Sequence, residues 1–245
     1  MCTVTYIPAT NGFYLTSSRD EKAGRATIPP AKYQIEGIDL IYPKDELAGG
    51  TWIASNLNGR TVCLLNGAFL NHVKQDRYVR SRGLVLLESF KYKNAYEFSN
   101  AVNLNDVEPF TMISLNYLSV NPIAFTEFRW DGKNKHLIAL DTSERQIWSS
   151  ATLYSPHVQL VRAELFKVWT KQFSHHEDCN ILNFHCRKHG LHSSDDILMK
   201  GADDLMTLSI TQVACRNGKS ALSYFDILNN RIYTSELLKA QEINV

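Results

Sequence analysis

The sequence has 245 residues, a formal net charge of +1, 44% hydrophobic and 21% charged residues. At about 150 residues per domain this allows one large domain or two small ones, with a substantial core in either case. The near-neutral charge lacks the Lys and Arg surplus with which nucleic-acid binders neutralise phosphates, so no nucleic-acid partner is expected.

Thr3 to Ile7 and Phe13 to Ser17 are β-branched and aromatic runs flanking Asn11-Gly12, which predicts an N-terminal hairpin. Thr51 to Ser55 and Arg60 to Leu65 predict a second hairpin around Asn58-Gly59. Leu84, Val85, Leu87 and Phe90 recur at helical spacing, and Ala95 to Ala101 reads as a second short helix. Strands follow at Phe110 to Tyr117, Ala124 to Trp130 and His136 to Leu140, the last two joined through Asp131-Gly132.

From Ser155 the period changes: Val158, Val161, Leu165, Val168 or Trp169 and Phe173 predict an amphipathic helix, with Ser155 as N-cap and Pro156 as first helical residue. Cys179 to Lys188 reads as a further helix stopped by Gly190. Strands at Leu205 to Arg216, Ala221 to Leu228 and Arg231 to Glu236 close the chain, turning at Asn217-Gly218 and Asn229-Asn230. This order predicts an α+β fold with sheets inside and helices outside. Without a repeat or a Pro/Gly-rich linker, residues 1–245 read as a single domain.

No stretch approaches the roughly 18 apolar residues of a membrane span. The first charge is Arg19, so no secretory leader is expected. Five cysteines, at 2, 63, 179, 186 and 215, form no regular disulfide framework, which points to a reducing, cytoplasmic location.

Cys2 is chemically loaded if Met1 is removed, because thiol and α-amine then belong to one residue. An α-amine titrates near pH 7.7–8.0, so it can take the thiol proton as general base. Such a site also needs a cation, a carboxylate to orient the amine, and neutral donors for an oxyanion. The returning strand of the first hairpin brings Arg19-Asp20-Glu21 back toward Cys2. The plain alternatives are a small second residue without a role and a solvated charged turn.

Met1-Cys2-Thr3-Val4, Ser18-Arg19-Asp20-Glu21, Arg25 with Pro29-Pro30, Gly49-Gly50-Thr51-Trp52, Asn66 and Arg80-Ser81-Arg82-Gly83-Leu84-Val85 follow one another in order. Together they resemble the transport and Golgi organisation protein 2 family, also called NRDE after its Asn-Arg-Asp-Glu motif. The resemblance covers the first third of the chain well. It implies an Ntn-hydrolase-like four-layer αββα sandwich, two stacked antiparallel sheets between helical layers, related to bile-salt hydrolases and penicillin V acylases.

Carried over, the resemblance makes Cys2 the nucleophile, with Arg19 and Asp20 beside it and Asn66 as oxyanion donor. Arg25, Trp52 and Arg82 become candidate substrate-binding residues. The family association implies either hydrolysis of a linear amide or acyl thioester, or non-catalytic handling of an acyl-coenzyme A, a lipid or haem. No cofactor is expected. Two departures stand out: Ser18 replaces the first Asn of the motif, and Met206 to Val213 holds no Arg where related acylases place one near the nucleophile. Arg216 is the nearest, and it is out of register.

His175, His176, Cys179, His185, Cys186, His189 and His192 crowd a segment of 18 residues. The four-residue spacings His185/His189 and His175/Cys179 suit Zn²⁺ on one helix face, but they match no standard finger. The expectation is a polar helix-loop-helix surface and no metal. Phe125, Phe128 and Trp130 read as core between layers. Arg77, Arg80 and Arg82 suit a phosphate or carboxylate, or else a solvated turn. Asn66-Gly67 is also a turn signal, and Gly49-Gly50 permits either a close backbone approach or a plain loop.

Overall fold

A computed structural model describes residues 3–118, 121–173 and 180–238. The first hairpin forms as expected: β1 (Thr3–Ala9) pairs with β2 (Gly12–Lys22), Thr3 opposite Ser18. The strand β2 runs further than its apolar portion predicts, because β11 (Leu205–Arg216) pairs along its whole length. The sheet is completed by β10 (Gln146–Ser149) beyond β1, and by β12 (Lys219–Asp226) and β13 (Arg231–Leu238) beyond β11.

The second sheet contains β3 (Thr27–Ile35), β4 (Ile38–Asp45), β5 (Ile53–Asn56), β6 (Arg60–Asn66), β7 (Phe110–Leu118), β8 (Asn121–Trp130) and β9 (Lys135–Ala139), in that order. Every pairing in both sheets is antiparallel. The sequence pattern missed β3, β4 and β10. Pro29 and Pro30 sit where the β3–β4 ladder slips between Ile28 and Ala31, on the edge strand where missing N–H donors are tolerated.

The inner faces meet through Val4, Tyr6, Phe13 and Leu15 from one sheet and Cys63, Leu115 and Phe125 from the other. Phe125 touches Tyr6 at 4.5 Å between ring centroids. Phe128, three residues on, lies on the opposite face against Phe98 and Phe110. All three aromatics of this strand are core, as expected, but they serve two different interfaces.

Two helices, α1 (Arg82–Ser89) and α2 (Ala95–Ala101), cover the second sheet; α3 (Pro156–Lys171) and α4 (Ile181–His185) cover the first. The result is the α+β, four-layer αββα sandwich expected from the sequence. Ser81 caps α1 by accepting from the Leu84 N–H, and Ser155 caps α3 by accepting from the Val158 N–H.

On α3 and just past it, Leu165, Trp169 and Phe173 pack against the core as the apolar spacing suggests, Val168 is 57% exposed, and the deepest stripe is Arg162, Phe166 and Thr170. In α1, Leu86 is buried and Leu84 is 41% exposed. The loop before β5 crosses α1 backbone to backbone. A Cβ on Gly50 would lie 2.7 Å from the Gly83 carbonyl carbon, and one on Gly83 would lie 2.7 Å from the Thr51 oxygen. Only two glycines permit this approach. Buried Arg60 ties the other end of α1 to β6, donating to the Ser89 and Tyr92 carbonyls at 3.0 and 2.7 Å.

Between the first sheet and the helices α3 and α4, Ile7 packs against Phe166, Ile181 and Phe184, and a polar cluster lies beside this apolar one. His185, fully buried, places Nε2 2.8 Å from Thr5 Oγ1 and Nδ1 2.8 Å from Ser18 Oγ. The expected polar surface is therefore wrong for this residue, whose two ring nitrogens are both engaged inside the fold. His189 contacts the Phe184 carbonyl and ring, and among the described residues no three His, Cys, Asp or Glu side chains gather to hold a metal. His175, His176 and Cys179 lie outside the described residues.

Two predictions follow from this packing. Gly83→Ala should lower stability by about 2 kcal/mol or more, because the contacting atoms are backbone and cannot step aside; urea unfolding with fluorescence and circular dichroism checks this. Burial first, then the charges of Arg162 and His189, push His185 down to about 3 from its ordinary 6.5. Between those values the unfolded chain binds a proton that the folded chain does not, so stability falls as pH drops from 6.5 toward 3, by about 1.4 kcal/mol per pH unit. His185→Gln should be less stable than wild type at pH 7, with a shallower loss on acidification. The readout is the unfolding midpoint at pH 7 and pH 5.

Candidate active site

Side chains alternate along β2, and the alternation divides the motif. Ser18 faces the helices, where its hydroxyl meets His185. Arg19 faces the second sheet, with its guanidinium 4.9 Å from the Trp52 ring centroid. Asp20 turns back again: it accepts from Tyr154 OH at 3.0 Å and from Thr207 Oγ1 at 2.6 Å. Arg19 and Asp20 are each only 2% exposed.

The Arg19 side is held by an ion-pair network. Its Nη2 donates to Asp45 Oδ2 at 3.0 Å and its Nη1 to the Arg25 carbonyl at 3.3 Å. Arg25 Nε lies 2.9 Å from the same Asp45 oxygen, and its Nη1 donates to Glu21 at 3.1 Å. Burial pushes the Asp45 carboxyl up, but the Ala48 N–H, then Arg25 and Arg19, outweigh it and hold the group below its ordinary value.

These residues wall a cavity of about 650 Å³ whose rim includes Trp52, Leu64, Asn66 and residues 80–84 at the start of α1. A second cavity of about 430 Å³ adjoins it, sharing Glu21, Arg25, Asn66, Lys74, Arg82 and Glu108 and adding Asp20. Asn66 stands at the junction. It ends β6, its carbonyl accepts from Ser150 Oγ at 2.9 Å, and Gly67 at φ +80° takes the chain out of the strand. The strand-end position is thus present, whereas the Asn-Gly pair makes no hydrogen-bonded turn: the Gly67 N–H donates onward to the Pro109 carbonyl.

The structure therefore brings together all six expected site residues that it describes: Arg19, Asp20, Arg25, Trp52, Asn66 and Arg82. Cys2 lies outside the described residues; Thr3, next in the chain, pairs with Ser18 on one side and Ser149 on the other. Arg82 borders both cavities, with Nη2 3.0 Å from Glu108 and Nη1 donating to the Pro109 carbonyl at 3.3 Å. Arg80 pairs with Glu88. The two arginines thus meet carboxylates, and these belong to the protein itself. Arg216 bonds to Tyr14 OH, across from Gly12 at the far end of the hairpin.

Sequence reasoning missed Asp45, Tyr154, Thr207 and Glu108. Asp45 ends a strand that the pattern did not reveal, and the others carry no local signal. A cation, a carboxylate and an amide now line adjoining cavities at one end of the sheet sandwich, a set able to hold and polarise a carbonyl substrate.

The sequence profile described as Transport and Golgi organisation 2 matches residues 1–206. A search of the curated proteins returns no match. Among solved structures, a variant of conjugated bile acid hydrolase from Clostridium perfringens is similar with TM-score 0.54 and 9% identity, covering 96% of this chain and 92% of that one. A second variant of that enzyme gives TM-score 0.51 and 8% identity over 100% of both chains. Penicillin V acylase from Agrobacterium tumefaciens gives 0.51 and 8%, with 96% and 86% covered. At these identities the likeness establishes the fold, that of the Ntn hydrolases. With its profile matched over most of its length and its ordered motifs gathered at one site, the chain belongs to the Transport and Golgi organisation 2 family.

Proposed function

We propose that the chain is an N-terminal-nucleophile hydrolase of a linear amide or an acyl thioester, with Cys2 as nucleophile once Met1 is removed. The observation that carries this reading is the convergence of Arg19, Asp20 and Asn66 on adjoining cavities at the hairpin end where Thr3, one residue from Cys2, pairs with Ser18. The similarity to a bile acid hydrolase and a penicillin V acylase supports the same class of chemistry.

In this mechanism the α-amine of Cys2 takes the thiol proton, and the sulfur attacks the substrate carbonyl carbon. The carbonyl π electrons move to oxygen, where the Asn66 amide and a backbone N–H stabilise the oxyanion. The amine then returns the proton to the leaving nitrogen or sulfur, and the acyl group stays on Cys2. Water attacks that thioester with the amine again as base, which releases the acid and restores the thiol. Asp20 orients the amine and Arg19 supplies positive charge. Arg25, Trp52 and Arg82 line the substrate's place, which is a small-molecule one at these volumes.

Two experiments test this. Intact-mass spectrometry of protein from its natural host should show Met1 absent, and Cys2→Ala should lower turnover of N-acyl amides or acyl thioesters by at least about 10³. Equal turnover by wild type and Cys2→Ala removes the assignment. In that case, saturable and Cys2-independent binding of a long-chain acyl-coenzyme A or haem would mark a carrier. For the oxyanion role, Asn66→Ala should lower kcat about 10²-fold to 10³-fold with little change in KM.

A further inference from the structure

Arg162 sits in the middle of the buried face of α3 and is fully shielded from solvent. Its Nη2 donates to Thr3 Oγ1 at 2.8 Å and to the Asp196 carbonyl at 3.3 Å, and its Nη1 donates to Ser149 Oγ at 3.4 Å. Its guanidinium carbon lies 3.9 Å from the Tyr154 ring centroid. Arg162 Nε has no hydrogen-bond partner, and among the described residues no carboxylate oxygen lies within 4 Å of the guanidinium. The nearby Asp196 carboxylate is occupied by the N–H groups of His189, Gly190 and Ile197. A buried cation without a neutralising carboxylate is costly, and a neutral side chain of similar volume would fill the space more cheaply.

Position explains what the charge serves. Thr3 is one peptide from Cys2, and consecutive Cα atoms lie about 3.8 Å apart. On the far side of β2, β11 holds no Arg between Met206 and Val213, and Arg216 is engaged at the far end of the hairpin. We propose that Arg162 is a positioning residue for Cys2: a buried cation behind the first residues of β1 that favours the thiolate and the neutral amine, acting from the helix side while Arg19 acts from the sheet side. This rests on the nucleophile reading above and extends it.

The groups facing this cation fit the role. From α4 comes His185, whose proton affinity falls first through burial and next through the charge of Arg162. His189 and Asp196 stand beside it, the latter already satisfied. From β2, Asp20 stands on the same helical side, accepting from Thr207 Oγ1 and from the hydroxyl of Tyr154, whose ring lies against Arg162. Thr3 and Ser149 are neutral.

The test is alkylation of Met1-free protein by iodoacetamide across pH 5–10, with Cys2 followed by mass spectrometry of the N-terminal peptide, in wild type, Arg162→Met and Arg162→Lys. Wild-type Cys2 should titrate below an ordinary cysteine. Arg162→Met should raise the apparent thiol pKa by about one unit, a tenfold loss of thiolate near neutral pH, and Arg162→Lys by part of that. Near-UV circular dichroism confirms that each variant is folded; if Arg162→Met is not, an unchanged titration in folded Arg162→Lys overturns the proposal. An identical low titration in all three proteins does the same while leaving Cys2 as nucleophile. An ordinary thiol pKa in wild type, without turnover, overturns the nucleophile reading itself.

Discussion

A strand presents successive side chains to opposite faces, and at residues 18 to 20 that rule governs the whole site. Ser18 is committed to the helical layer and Arg19 to the space between the sheets, while Asp20 returns to the helical side with Tyr154 and Thr207 as partners. Two adjacent charges of opposite sign therefore do not neutralise each other. Arg19 is balanced instead by Asp45, which arrives from another sheet, and Asp20 is satisfied by two neutral hydroxyls. The separation leaves a fixed cation and a fixed carboxylate on either side of the strand that neighbours β1.

Asp45 is the member of this arrangement with least freedom. It receives Arg19, Arg25 and the Ala48 N–H together, so one carboxylate holds two guanidiniums and fixes the loop that leads to Gly49 and Gly50. That loop must then cross α1 at Gly83, and the crossing sets the height of residues 80–84 on the rim of the larger cavity. Arg60 anchors the opposite end of the same helix. The Gly-Gly-Thr-Trp and Arg-Gly-Leu motifs are thus two halves of one contact, which a linear reading shows only as separate signatures.

Much of the fold was legible because its determinants are local. Asn-Gly turns marked three hairpins, and Ser155 with Pro156 marked the start of α3. The first third of the chain carried the candidate site through ordered motifs, and every described residue so chosen borders the cavities. What escaped depends on distant partners. The pair Pro29-Pro30 hides a strand whose prolines are tolerated at an edge and a bulge, and β10 is four residues long. On α3 and just past it, the apolar pattern found Leu165, Trp169 and Phe173, which pack against the core, but not the deepest stripe, where Arg162 is drawn inward by Thr3, 159 residues away in sequence. No periodicity encodes that attraction.

The polar cluster behind the first hairpin gives this attraction its purpose. Hydrophobic contacts alone tolerate sliding, and a slip of one residue would exchange the two faces of β1. Thr3 and Thr5 are bonded to Arg162 and His185, whose other contacts include Ser149 on β10 and Ser18 on β2. A slipped β1 would bring Val4 against these polar groups and leave a guanidinium and an imidazole without their hydroxyls, at a penalty of a few kcal/mol for each buried group. Ser18 in place of the motif's Asn belongs to this system: its hydroxyl completes the imidazole's second bond at 2.8 Å. The same buried groups that make the fold costly at low pH hold Thr3 opposite Ser18, so the register beside Cys2 is fixed from the helix side and not by apolar packing alone.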